Sequence, residues 1–177
     1  MAVITGDGGP NTLNDTPDDD TISGLGGDDT IIISQGGDDT ADGGDGSDTL
    51  VIDYTGFTPV NNTTGPTPDG SGGFSGGFTD NASRSVTYTG IERFDISTGN
   101  KADNITTGDG DDIMRLGGGD DFAFGGGGRD TNNGGDGNDT LDGGDGNDTM
   151  RGGGGDDTYV VEAGGDRIIE TANNGTD

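Results

Sequence analysis

Residues 125–160 read GGGGRDTNN GGDGNDTLD GGDGNDTMR GGGGDDTYV, four nine-residue units laid end to end. Gly125, Gly126 and Gly128 lead to Asp130; Gly134, Gly135 and Gly137 lead to Asp139. Gly143, Gly144 and Gly146 lead to Asp148, and Gly152, Gly153 and Gly155 lead to Asp157. Each unit is therefore G-G-x-G-x-D plus a triplet whose middle member is Asn132, Leu141, Met150 or Tyr159. Gly and Asp favour turns over helices, and one inward residue at the centre of each triplet suits a short strand. Turn and strand alternating at this period predict an all-β chain without helix.

The phase runs well beyond these units. Asp103, Asp112, Asp121, Asp130, Asp139, Asp148, Asp157 and Asp166 are nine residues apart without a slip, and Ile105, Met114, Ala123 and Ile168 extend the inward series. An earlier block repeats the phase at Asn11, Asp20, Asp29, Asp39 and Asp48, followed by Leu13, Ile22, Ile31, Ala41 and Leu50. Its third step is ten residues, which places an inserted residue near Ile33. Gly43, Gly44 and Gly46 before Asp48 form its one complete copy. If a turn holds two units, Ile105, Ala123, Leu141 and Tyr159 form one inner stack and Met114, Asn132, Met150 and Ile168 the other. Such strands would lie about 4.8 Å apart in parallel sheets. Two positions fit poorly: Asn132 is polar and needs a partner, while Ala123 is small and its neighbours Phe122 and Phe124 point outward.

Composition makes the period decisive. Of 177 residues, 42 are Gly, while Leu, Ile, Val and Phe together number 29, a balance that without a period reads as disorder. Thirty-five acids, 32 of them Asp, oppose seven basic residues for a net charge of −28. That field repels phosphate backbones, so no nucleic-acid partner is expected. No apolar run approaches the roughly 18 residues of a transmembrane segment. The absence of His and Cys excludes the usual zinc and iron ligands, Ser-His-Asp and Cys-His catalysis, and disulfides.

Over about residues 6–53 and 98–170 the nonapeptide resembles the RTX family, the hemolysin-type calcium-binding repeat. The resemblance implies a right-handed parallel β-roll, a β-solenoid with two nonapeptides per turn and calcium between successive turns. The residue chemistry agrees. Ca²⁺ takes six to eight hard oxygens at about 2.3–2.6 Å, mixing carboxylates with backbone carbonyls. Glycines free the backbone to turn its carbonyls toward an ion, and the sixth-position Asp supplies a carboxylate at the loop's end. The candidate metal ligands are the glycines and closing Asp of the five complete copies, with Asp20, Asp29, Asp39, Asp103, Asp112, Asp121 and Asp166 of the imperfect ones. Asn11 replaces the carboxylate with an amide and reads as a weak or capping turn. Asp19, Asp28, Asp38, Asp111, Asp120 and Asp156 read as outward-facing charge. Pairing each loop with the one two ahead gives six sites in the run of eight and three in the run of five, roughly nine ions.

The chain divides into a first repeat block over 1–53, an insertion over 54–97 and a second block over 98–177, all in one continuous solenoid. Within the insertion, 61–77 is rich in Asn, Thr, Gly, Pro and Ser and reads as a mobile surface loop, whereas 85–97 alternates as strands do. Ile96 lies nine residues before Ile105 and falls in the inward register. Tyr54, Phe57, Phe74, Phe78, Tyr88 and Arg93 are candidates for a glycan-binding excursion, set against the plainer expectation that the phenylalanines cap an apolar edge. Arg84 and Arg93 are expected to neutralise nearby acids.

The functional expectation is a calcium-binding module of a secreted bacterial protein, with calcium as structural ligand and folding trigger. No classical signal peptide opens the chain, and the resemblance implies type I secretion. The sequence reads as a fragment, monomeric or part of a larger chain, whose parent carries a toxin, protease, lipase or adhesin domain. Similar repeats accompany mannuronan epimerases and serralysin-type proteases, but without H-E-x-x-H or any His a zinc protease cannot reside here, and no enzyme activity is expected. An ice-binding surface would need an outward Thr ladder at the third loop position, which holds Asp45, Asp109, Asp136, Asp145 and glycines instead. The alternative is a glycan- or cell-surface-binding adhesin segment, or the accessory module of a secreted enzyme.

Overall fold

A computed structural model of the chain describes residues 1–56, 60–80, 84–162, 165–170 and 175–176. Among these residues every regular element is a strand, and nearly all strands belong to two long sheets. One sheet runs through Val3–Thr5, Thr21–Ser23 and Gly37–Asp42, continues in the insertion, and resumes with Asn104–Thr106, Phe122–Phe124, Thr140–Asp142 and Thr158–Val160. The other runs through Thr12–Asn14, Thr30–Ile33, Thr49–Asp53, Arg93–Ser97, Ile113–Gly118, Thr131–Asp136, Thr149–Gly154 and Arg167–Ile168. Successive units alternate between the two sheets, so one turn holds two nonapeptides and the architecture is a parallel β-roll.

The inner stacks follow the nine-residue phase. Ile105, Ala123, Leu141 and Tyr159 pair in order on one sheet. Ile96, Met114, Asn132, Met150 and Ile168 pair on the other. In the first block Ile4, Ile22, Ala41 and Tyr88 continue one stack, and Leu13, Ile31, Leu50 and Phe94 the other. The step of ten residues is absorbed at Ser34–Gln35, just after the buried Ile33. Asn132 is fully buried among apolar neighbours; its Nδ2 donates to the Asp142 carbonyl at 3.2 Å while its Oδ1 has no partner among the described residues. Phe122 is exposed beside the buried Ala123.

The insertion departs from the loop expectation. Asn61–Pro68 and Phe74–Thr79 form an antiparallel hairpin, and Phe74–Thr79 also pairs antiparallel with Arg84–Ile91. Register shifts between Asn62 and Thr64, and between Thr64 and Thr67, give the hairpin the irregularity that tolerates Pro66 and Pro68 in a strand. What composition could not weigh is the gain from burying Phe74 and Phe78 under the sheet. Phe78 stacks on Tyr88 at 5.5 Å between ring centroids, and Tyr88 meets Phe94 edge-on at 5.1 Å. Three rings in such contact contribute about 0.5–1.5 kcal/mol per pair beyond their burial. Tyr54, Phe74, Phe78 and Tyr88 are therefore buried in the core, Phe74 at its edge, while Arg93 is exposed; Phe57 lies outside the described residues.

Arg93–Ser97 also changes the register between the blocks. Phe94 pairs with Leu50, and Ile96 pairs with Ile52 on one side and Met114 on the other. The inward position has moved by two residues across this strand. A slip of two keeps every side chain on its own face, where a slip of one would turn the core outward.

Candidate calcium sites

The sixth-position aspartates form two ladders along the roll. In each rung the backbone N–H of one Asp donates to the Oδ1 of the Asp one turn further on. Asp103 donates to Asp121, Asp121 to Asp139 and Asp139 to Asp157, at 2.7–2.9 Å. Asp112, Asp130, Asp148 and Asp166 form the second ladder, at 2.8–3.1 Å. In the first block Asp20 donates to Asp39 and Asp29 to Asp48. Each rung uses one carboxylate oxygen. The other, Oδ2, has no hydrogen-bond partner among the described residues at Asp29, Asp48, Asp103, Asp112, Asp121, Asp130, Asp139 and Asp148, and all of these residues are buried.

The first glycine of the motif shows what these oxygens face. A Cβ on Gly125 would lie 2.2 Å from Asp130 Oδ2 and 2.6 Å from the carbonyl oxygen of Gly143, one turn on. Gly24 has the same surroundings, with Asp29 Oδ2 at 2.2 Å and the Gly43 carbonyl at 2.4 Å. Gly134 and Gly143 abut Asp139 Oδ2 and Asp148 Oδ2 in turn. The first glycine thus keeps open a small oxygen-lined cradle between adjacent turns. The second and fourth glycines serve backbone shape, as at Gly126 (φ 100°) and Gly137 (φ 136°). Among the described residues no three acidic side chains converge on one point. An ion in a cradle would therefore draw on one or two carboxylates, backbone carbonyls and solvent, a donor set that suits Ca²⁺.

Electrostatics point the same way. Burial raises the Asp112 carboxyl to about 8, Asp121 and Asp130 to about 7, and Asp139 to about 6. The aspartates one turn away raise Asp121, Asp130 and Asp139 further. Burial likewise raises Asp48, Asp103 and Asp148. Stacked carboxylates without a countercharge are costly to ionise, and a divalent cation reverses that balance.

Several candidate ligands differ from the rest. Asp20 has both oxygens engaged: Oδ1 accepts the Ala2 N–H, and Oδ2 accepts the Thr16 N–H and hydroxyl, which hold its carboxyl below the usual range. Asp39 sits where Ser34 and Gln35 replace the paired glycines, and their N–H groups donate to buried Asp15 instead. Burial raises Asp39 to about 6, with Asp15 adding to the effect. Arg84 lies nearby, its guanidinium 6.0 Å from the Tyr54 ring centroid. At Asp103 and Asp112 the first glycine is replaced by Thr98 and Thr107, whose hydroxyls donate to the next-turn carbonyls of Leu116 and Gly125. These hydroxyls fill part of the cradle that glycine leaves open.

The ends are closed by side chains. At the N-terminal end Asn11 Oδ1 takes the carboxylate's place beside Gly6 and accepts the Asp7 N–H, as a capping amide would. At the C-terminal end the Tyr159 hydroxyl lies in the Gly152 cradle, accepts the Gly152 N–H at 2.6 Å and bonds Glu170. Asp166 is only half-buried.

The fifth-position residues are exposed but do more than carry charge. Asp111 and Asp120 accept the N–H of Arg129 and Asn138 on the next turn, and Asp19 and Asp28 do the same for Asp38 and Ser47. Their eighteen- or nineteen-residue spacing was the available sequence signal. Away from the cradles, Pro66, Pro68, Phe74 and Phe124 line an open cleft of about 430 Å³ beside Thr107–Asp109.

The sequence pattern of the RTX calcium-binding nonapeptide repeat matches four times, over residues 5–36, 31–51, 97–131 and 133–168, together more than half of the chain. No curated protein matches the chain. No helix among the described residues is long and apolar enough to cross a membrane.

Proposed function

The chain belongs to the RTX calcium-binding nonapeptide repeat family, and on that premise we propose that it is the calcium-triggered folding module of a secreted bacterial protein. The observation that carries this reading is the set of buried Oδ2 atoms at Asp29, Asp130, Asp139 and Asp148, each without a hydrogen-bond partner among the described residues and turned toward a glycine cradle. In the calcium-poor cytoplasm, 28 net negative charges and little apolar surface keep the chain expanded. Extracellular modules bind calcium at about 10⁻⁴–10⁻³ M, so the chain folds after export. An unfolded chain before export and a folded one after it suit type I secretion. The module holds structure and does no chemistry of its own; any effector resides elsewhere in the parent.

The ions occupy cradles opened by glycine in consecutive copies: Gly24 with Asp29, Gly125 with Asp130, Gly134 with Asp139, and Gly143 with Asp148. The count therefore falls below the roughly nine that loop pairing alone gives, because Thr98, Thr107 and Tyr159 place side-chain oxygens in other cradles. Far-UV circular dichroism with and without calcium, joined to ion counting by native mass spectrometry, tests the reading. The expected result is a β-rich spectrum only with calcium. A folded, ion-free chain in EDTA would overturn it.

A further inference from the structure

The repeat pattern lapses after Asp53, yet the cradle geometry crosses the insertion. A Cβ on Gly43 would lie 2.5 Å from Asp48 Oδ2 and 2.0 Å from the carbonyl oxygen of Gly90. These are the surroundings that Gly24 finds between Asp29 and Gly43, one turn earlier. The backbone agrees: Gly43 N–H donates to the Thr89 carbonyl at 3.0 Å, as Gly24 N–H donates to Asp42 at 2.8 Å. Arg93 N–H donates to the Asp48 carbonyl at 3.0 Å, as Thr49 N–H donates to Asp29 at 2.8 Å. Glu92 completes the match. Its Oε2 accepts the Asp48 N–H at 2.6 Å, the bond that Asp48 Oδ1 makes to Asp29 at 2.8 Å.

Gly90, Ile91 and Glu92 thus span in three residues what Gly43–Asp48 spans in six. The shorter loop starts its carboxylate from a different backbone position, and the extra methylene of Glu supplies reach. Gly73 passes over this carboxylate so closely that a Cβ there would lie 2.4 Å from Glu92 Oε1. Asp48 is fully buried, and its Oδ2 has no hydrogen-bond partner among the described residues and faces the Gly90 carbonyl. Asp69 is also near, but its Oδ1 accepts the Ser71 N–H and hydroxyl and its Oδ2 the Gly90 N–H.

We propose that Asp48, Glu92 and the Gly90 carbonyl hold a calcium ion at the seam between the first block and the insertion. The inference rests on the calcium reading above and adds a ligand outside the nonapeptide pattern. Its ion ties together residues 44 apart in sequence, so docking of the insertion becomes calcium-dependent. The test counts ions on the full chain in saturating calcium by native mass spectrometry, for the wild type, Glu92→Gln and Asp69→Asn. Gln keeps the shape and the acceptor oxygen but removes the charge, and one fewer ion is expected; Asp69→Asn retains the full number. A wild type without ions would defeat the calcium reading itself. Equal counts in the wild type and Glu92→Gln would defeat the seam site alone, as would an ion lost only from Asp69→Asn. Should Glu92→Gln not fold, Glu92→Asp keeps the charge one methylene short. One ion in that variant should then need roughly tenfold more calcium, a loss of about 1.4 kcal/mol, and an unchanged titration would overturn the site.

Discussion

Asp139→Asn should reverse its effect on stability with calcium. Asp139 Oδ1 accepts the Asp121 N–H at 2.9 Å, and an amide oxygen preserves that bond. What Asn removes is the negatively charged Oδ2, which has no hydrogen-bond partner among the described residues. Burial raises this carboxyl from 3.8 to about 6, so at pH 8 the fold disfavours its ionised form by about 3 kcal/mol. Without calcium, Asn relieves up to that amount. With calcium at a thousand times its dissociation constant, losing one ion removes about 4.1 kcal/mol, more than Asn relieves. Asp139→Ala additionally strands the buried Asp121 N–H, at about 1–3 kcal/mol in both conditions. The expected order is Asn above wild type and Ala in EDTA, and wild type above Asn above Ala in calcium. Osmolyte-driven folding in EDTA and urea unfolding in calcium, both followed by circular dichroism, give the two rankings. If Asn destabilises equally in both, Oδ2 is not a calcium ligand.

Gly137→Ala would place a Cβ 1.8 Å from the Gly119 carbonyl oxygen at a φ of 136°, so backbone in two turns must move. The calcium-induced transition should be lost or need several-fold more calcium, and a wild-type titration would refute the clash. Leu25 holds the second motif position with a φ of 76° and its side chain exposed; Leu25→Gly should stabilise the calcium form by up to about 1 kcal/mol, read as a raised urea midpoint. In EDTA the pH dependence should oppose that of the calcium form. Asp112 at about 8 and Asp121 and Asp130 at about 7 in the fold, against 3.8 when unfolded, contribute stability that is fully present below about pH 4 and lost as pH rises through 7 to 8. Circular dichroism in EDTA should show more β structure at pH 4 than at pH 8, and the reverse trend would refute the burial argument.

The nine-residue phase determined the short strands and which residue of each points inward, because most units contain their own turn glycines and one inward residue; two units per turn followed from the family resemblance, and the tertiary structure set the alternation between two sheets. It also located every Asp of the two ladders. It could not say which carboxylates stay open. That depends on the residue five positions earlier, glycine at 125, 134 and 143 but Thr98 before Asp103 and Thr107 before Asp112, and on where its hydroxyl points across the turn. Asp20 shares the nine-residue phase of Asp29, but no glycine precedes it in its unit and Thr16 closes on it. Residues 61–77 read as loop because glycine, asparagine and proline carry little strand preference, whereas burial of Phe74 and Phe78 against Tyr88 and Phe94 decided the hairpin. Glu92 was invisible to any periodic reading, since its register with Asp48 exists only after 44 residues have folded back. Periodic interactions are written locally and repeat; the closing of a cradle, the burial of a ring and the seam carboxylate are long-range contacts, set by which backbone the completed roll brings alongside.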